Sequence, residues 1–340
     1  MLLGMNTLGI GHKPVPFKPW LSSRCVAWFD PASVQTYDTS LYATGTTPPA
    51  LTLSGIQTLF SPIGLRVECT SIAGGAARGL WALRYSLDSG GTWLASGVTS
   101  AATIALGGAA TGLTLNIAAG NAATNNVWQI ATSSIRSRQD SSKFLISATS
   151  AQSALLLTGA SGILGMPAWA DRNALTELVC STQPIPGTPF FIYCVAQMNS
   201  GTGSFGSIFS GGLGGGIIPR VDNNGSGSNQ LVASNGTSYV AAYTYGAPKQ
   251  IILNCQASAG SDSLQVGSVT TTGAGLSASS AGTGLSLFVR YDLNAVTHLQ
   301  GKIGLMGIFT GSPATGNLLT AIQSYVSQYG YSGSAAALRT

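Results

Sequence analysis

Apolar residues in this chain come in short runs, alternating or continuous, and Gly, Asn, Pro or Ser cuts nearly every run off within a few residues. Leu65-Arg66-Val67-Glu68-Cys69 and Leu80-Trp81-Ala82-Leu83-Arg84-Tyr85-Ser86 alternate with the period of a half-buried strand. Thr103–Leu106, Leu113–Ile117 and Val127–Ile130 add further strands between Gly and Asn clusters. Phe190-Phe191-Ile192-Tyr193-Cys194-Val195-Ala196 is continuously apolar, as expected of a strand buried on both faces. More candidate strands follow at 207–210, 216–220, 238–241, 250–254, 263–266 and 285–289, joined by Gly-rich turns. Helical spacing appears once, where Leu318, Leu319, Ile322, Tyr325 and Val326 share one face and Gly330 is expected to end the helix. A chain of 340 residues built this way is all-β, a double-sheet jelly roll with one short C-terminal helix.

Composition narrows the function classes. Only 7% of residues are Asp, Glu, Lys or Arg, against roughly 25% in an ordinary soluble domain. Charge keeps monomers apart, so a chain with this little of it is expected to live inside an assembly. The net charge of +5 is scattered, with Arg136-Ser137-Arg138 its densest cluster. Nucleic acid needs a stripe of cations or interleaved aromatics, so it is not an expected partner. Ile104–Gly120 is interrupted by Gly107, Gly108, Thr111, Thr114 and Asn116, and no membrane insertion is expected. Met1–Ile10 lacks the pattern of a secretory signal, which points to assembly in the cytoplasm. The five cysteines are widely spaced and read as small core hydrophobes.

Three segments organise the chain. Residues 1–20, punctuated by Pro14, Pro16 and Pro19, form an arm with no core-forming period. It reads either as a disordered terminus or as a docking peptide, with Lys13, Pro14, Pro16 and Phe17 as its contact residues. Residues 21–45 and 134–335 make the jelly roll, and 46–133 an inserted small β-sandwich. Thr39–Ala50, with Gly45 and Pro48-Pro49, reads as a linker between them.

Two resemblances attach to particular residues. The strand ending Trp28-Phe29-Asp30, the Pro189–Val195 strand, Gly301-Lys302-Ile303-Gly304 and the ending Tyr325-Val326-Ser327-Gln328-Tyr329-Gly330 resemble the concanavalin A-like, laminin-G-like jelly roll. That resemblance covers Leu21 to about Asp38 and Ser134 to about Tyr331, and its motifs report a fold rather than a site. The hairpin Leu83-Arg84-Tyr85-Ser86-Leu87-Asp88-Ser89-Gly90-Gly91-Thr92-Trp93 is similar to one in a small β domain of tailed-bacteriophage structural proteins. Together they imply a virion protein of the tail-fibre, adhesin or decoration type, tail- or head-attached. Other virion proteins would bind it through the arm. A homo-oligomer, first of all a trimer, and host-surface glycan attachment are further implications. The alternative is a non-catalytic carbohydrate-binding module of a cellular surface protein.

Catalysis is not expected. Glycoside hydrolysis needs two carboxylates about 5 to 9.5 Å apart, whereas Glu68 and Glu177 fall in different segments and the eight aspartates are not paired. His12 and His298 are too few for a metal cluster or a triad. Gly201-Thr202-Gly203-Ser204-Phe205-Gly206 matches a dinucleotide fingerprint as a string, but no helix follows it. No cofactor and no metal are expected. Asp222 and Asn223, with Asn224, offer oxygen ligands on one loop, though a plain turn is the preferred reading over calcium. Tyr239, Tyr243 and Tyr245 would share one strand face and could stack on sugar rings, so with Asp222 and Asn223 they form the candidate glycan-binding set.

Overall fold

The computed structural model describes residues 17–33, 35–55, 58–59, 62–107, 112–172, 176–199, 206–211, 220–223, 230–234, 238–256, 262–273, 283–289, 299–330 and 338. The fold is all-β, with antiparallel sheets layered into sandwiches. At its centre is the long strand Gly301–Thr310. One side of it pairs along its length with Phe190–Met198, while the other pairs first with Trp169 and Ala170 and then with Cys25–Phe29. Lys249–Cys255, Asp262–Val266 and Val269–Gly273 extend this sheet beyond Phe190–Met198. The opposite layer runs Phe144–Ile146, Leu178–Ile185, Thr283–Leu287, Ser207–Gly211, Arg220–Asn223, Gln230–Ser234 and Ser238–Ala242. Ala131–Arg136 joins the two, pairing both with Phe144–Ile146 and with Ala154–Leu157, which in turn pairs with Ala168–Ala170 beside the central strand.

Period two explains why Phe190–Met198 is apolar throughout. Phe190, Ile192, Cys194, Ala196 and Met198 point into the core shared with Phe209, Leu285 and Leu287 of the opposite layer. Phe191, Tyr193 and Val195 point the other way, into a second cluster with Trp28, Phe309 and Ile322. Ile322 belongs to the helix Leu318–Tyr325, whose apolar face covers that outer surface. The regular helix ends at Tyr325 rather than at Gly330, and Val326–Gly330 forms a wider π-type turn. All five cysteines are buried and free. Burial pushes the Cys25 thiol up to about 12 and the Cys194 and Cys255 thiols up as well.

The small sandwich has a five-stranded sheet, Tyr42–Thr44, Val127–Gln129, Arg66–Ser71, Ala82–Ser86 and Ala95–Thr99. A three-stranded sheet of Leu51–Ser54, Leu113–Ile117 and Thr103–Leu106 faces it. Trp81 and Trp128 stack 5.6 Å apart in its core. Apart from Thr58–Leu59, which pairs with Gln35–Tyr37 of the large sandwich, sheet membership changes at Tyr42 and again at Ala131, against 46 and 133 in the sequence division. The reason is that Thr39–Ala50 is not simply a linker. Its Tyr42–Thr44 pairs with Val127–Gln129, and the Trp128 indole N–H donates to the Pro49 carbonyl at 2.9 Å, so the Pro48-Pro49 turn is fixed to the sheet.

The hairpin Leu83–Trp93 has a definite job in this architecture. Asp88 folds the turn: its Oδ1 accepts from the Ser86 hydroxyl at 2.6 Å and the Thr92 N–H at 2.6 Å. These hydrogen bonds hold the Asp88 carboxyl below the usual carboxylate range. Ser89, with φ of 59°, then projects toward the large sandwich. Its Oγ accepts the Thr158 N–H at 2.9 Å and its carbonyl accepts the Ser161 hydroxyl at 3.2 Å. The hairpin therefore latches the small sandwich onto the turn Gly159–Ser161.

Candidate functional site: a cleft between the two sandwiches

The outer face of the large sheet is only partly covered. Register aligns Ala131, Leu155, Ala170, Lys302 and Gln197 as a same-face row across five neighbouring strands. The helix cluster covers the face at Phe191, Tyr193 and Val195. The small sandwich approaches the row through Arg66 and Gln129, and between lies a cleft of about 700 Å³. Leu155, Leu157 and Ala170 give it an apolar floor, while Arg66, Gln129, Asp171, Asn199, Gln300 and Lys302 bring amides and charges to its walls.

Each polar wall residue is held by the fold. The Asp171 N–H donates to the Gly301 carbonyl at 2.9 Å, and Asp171 Oδ1 accepts the Thr176 N–H at 3.3 Å. The Asn199 N–H donates to the Gln300 carbonyl at 2.8 Å. Arg66 is committed to Glu68, at 2.7 Å, and Glu68 also accepts both Nε and Nη2 of Arg84. Arg84 in turn lies 3.9 Å from the Trp93 ring centroid. Lys302 donates to the carbonyls of Ser161 and Gly162 at 2.8 and 3.2 Å. Its half-buried ammonium has its pKa lowered by desolvation. Two residues past the strand Ala168–Ala170, Arg172 lies 4.3 Å from the Tyr42 ring centroid, and desolvation lowers its pKa too.

The tyrosines chosen from the sequence do not form a sugar platform together. The strand ends at Ala242, so Tyr243 and Tyr245 lie beyond it. Tyr243 is 2% exposed; its hydroxyl accepts the Met198 N–H and donates to the Ala247 carbonyl, each at 2.7 Å. This correction has a simple cause: a phenol with both hydrogen-bonding directions used and its ring in the core has no face left for a ligand. Tyr245 is half-buried edge-on against Tyr243 at 5.9 Å. Tyr239 lies in the strand Ser238–Ala242. Asp222 and Asn223 are not on a loop as expected. They lie in the strand Arg220–Asn223, opposite Ser207, Val232 and Leu231, because both neighbouring strands need backbone partners there.

Tyr243 instead supports the cleft. The turn it anchors is fastened to the end of Phe190–Met198, where the Gly246 N–H donates to the Met198 carbonyl at 2.6 Å and the Gln197 amide to the Gly246 carbonyl at 2.7 Å. Asn199 enters the cleft directly after these anchored residues. The cleft-lining residues escaped the sequence reading, although one signal was available: Lys302 is the only charge in the ten-residue strand Gly301–Thr310.

Of the arm, Lys13, Pro14 and Pro16 lie outside the described residues, as do His12, His298, residues 201–205 and Asn224. Phe17 is exposed at 39%. The root of the arm is fixed at Trp20, edge-on to Tyr325 at 5.4 Å, with the Arg138 guanidinium 3.6 Å from its ring centroid. Arg138 pairs with Asp30 at 3.1 Å, and Asp30 also accepts the Trp28 indole N–H at 2.6 Å. Among the described residues there is no group of three or more His, Cys, Asp or Glu placed to hold a metal ion. None of their helices is long and apolar enough to cross a membrane.

Sheets and cleft together define a jelly-roll-like β-sandwich protein with a concave, polar-walled surface of ligand-binding dimensions. No protein-family model and no curated protein sequence matches the chain. Among solved structures, it is similar to domain 4 of the arabinanase AbnA from Geobacillus stearothermophilus in complex with arabinotriose, at 12% identity and a TM-score of 0.38, over 49% of this chain and 80% of that one. It is also similar to Trypanosoma rangeli sialidase in complex with sialic acid, at 9% identity and a TM-score of 0.39, over 85% of this chain and 52% of that one. A third similar structure is the binding domain of botulinum neurotoxin serotype G, at 12% identity and a TM-score of 0.37, over 57% of this chain and 50% of that one. The chain thus spans about half the length of the sialidase and neurotoxin chains.

Proposed function

We propose that this chain is a non-catalytic structural protein of a bacteriophage virion, and that the cleft between its sandwiches holds a saccharide of the host surface. The cleft carries the binding half of this reading. An apolar floor of Leu155, Leu157 and Ala170 suits the C–H face of a sugar ring, and the amides of Gln129, Asn199 and Gln300 offer donors and acceptors to its hydroxyls. Asp171 is the one carboxylate among the described residues lining the cleft, whereas glycoside hydrolysis uses two. That supports binding without turnover.

The virion half is supported by the hairpin Tyr85–Trp93, the charge-poor composition and the arm. Phe17, exposed at the arm's root, is the described residue of the docking set. A glycan array followed by calorimetry on the hits tests the cleft. Binding that is lost on Ala170→Trp, which fills the floor, supports it, while binding untouched by that change places the ligand elsewhere. Release of reducing ends from any bound polysaccharide would overturn the non-catalytic reading. Mass spectrometry of purified particles separates a virion protein from a carbohydrate-binding module of a cellular surface.

A further inference from the structure

We infer that the ligand of the cleft is an acidic saccharide, one whose ring carries a carboxylate, and that Lys302 is the residue that selects it. This rests on the reading of the cleft as a saccharide site and adds the chemical class. The lining holds two cations in different situations. Arg66 is ion-paired with Glu68, a carboxylate it shares with Arg84, and that pairing occupies its guanidinium. Lys302 has no carboxylate within ion-pair distance among the described residues. Its neighbours are the neutral carbonyls of Ser161 and Gly162. An ammonium has three N–H donors, so two are used and the third remains for a ligand.

Position makes that donor usable. Lys302 stands in the same-face row between Ala170 and Gln197, and the short side chain of Ala170 directly across from it keeps the cleft floor low there. A half-buried, uncompensated cation costs stability in the empty protein. A carboxylate bound there would neutralise it through a charge-assisted hydrogen bond, which is stronger than a neutral one. Desolvation already lowers the Lys302 pKa, in line with an ammonium that lacks an anion. Asp171, next to Ala170 on the chain beside Lys302, would repel a densely charged polyanion, so the lining fits a sparsely charged sugar acid rather than a nucleic acid or a heavily sulfated chain.

The test is calorimetry of the full chain with trigalacturonate and with the neutral galactose trisaccharide of the same linkage, at low and at high salt. The expected result is that trigalacturonate binds about tenfold tighter at low salt and that salt removes this advantage without weakening the neutral sugar. Lys302→Gln should bring the ratio of trigalacturonate to neutral-sugar affinity to about one at low salt, and Lys302→Arg should keep the preference. Equal or tighter binding of the neutral sugar overturns the acidic class but leaves the saccharide cleft standing. Absence of binding by either trisaccharide, together with an empty glycan array, overturns both. If Lys302→Gln does not fold, the salt dependence of the unmodified chain decides the question.

Discussion

Asp38 shows how a single side chain near the cleft is tuned. Its Oδ2 is buried and closes no hydrogen bond, and Ser153 Oγ beside it is in the same position. Burial raises the Asp38 pKa above its usual 3.8, with Ser153, the Arg172 guanidinium and Ser133 offsetting part of the effect. A carboxyl whose folded pKa exceeds its unfolded one costs stability as pH rises from the unfolded value through the folded one, and the cost stays at higher pH. Asp38→Asn keeps the shape and removes the charge. The expected outcome is a higher melting temperature at pH 7, with the gain shrinking to nothing as pH falls below the ordinary carboxylate range. A variant equally or less stable at pH 7 would mean that attraction to Arg172 outweighs the desolvation. Asp88 and Asp140 work in the opposite sense. Hydrogen bonds from Ser86 and the Thr92 N–H to Asp88, and from Lys143 and Ser142 to Asp140, lower their pKa values, so their contributions fade in acid.

Among elements, the latch hairpin has a role that goes beyond its own sheet. Ser89 reaches Thr158 and Ser161, and the same Ser161 offers its carbonyl to Lys302. The latch thus fixes the turn that positions the ammonium in the cleft. Gly64 lies under it, and a Cβ there would collide with Ser89 Oγ and Thr158 Oγ1. Gly64→Ala is therefore expected to destabilise the chain by about 1–3 kcal/mol, the usual cost of forced repacking. It should also weaken saccharide binding. Chemical denaturation read by tryptophan fluorescence, beside calorimetry, measures both. A change without effect on either would mean that the latch opens at no cost.

For the whole molecule, the missing charge bears on assembly. Residues 89–135 contain no Asp, Glu, Lys or Arg. They include Ala95–Thr99 and Thr103–Leu106, which are edges of the small sandwich's two sheets. Leu94, beside the first, is 52% exposed. Free edges are ordinarily guarded by Lys or other charges, so these edges are expected to be covered by further copies of the chain in a closed homo-oligomer, with a trimer as the first expectation. Sedimentation at micromolar concentration should show self-association. Ala105→Lys places a charge on an exposed edge position and should shift the chain toward monomer at unchanged melting temperature. A monomeric unmodified chain would show that Ser, Thr and Asn protect the surface unaided.

The all-β class, the helix at Leu318–Tyr325 and most strands were legible in the residues, because period-two alternation and Gly or Asn punctuation are local properties that backbone geometry reads directly. The two-sided burial of Phe190–Met198 was legible for the same reason. The cleft was not. Arg66, Gln129, Asp171, Asn199, Gln300 and Lys302 come from segments far apart in sequence, and strand register together with the Ser89 latch brings them to one place. Nor did any local pattern reveal that Tyr243 would spend its hydroxyl on Met198 and Ala247, or that Asp222 would be drawn into a strand. Periodicity says which face a side chain takes on its own strand. What that face meets depends on neighbours contributed by distant segments, and only the tertiary structure decides those.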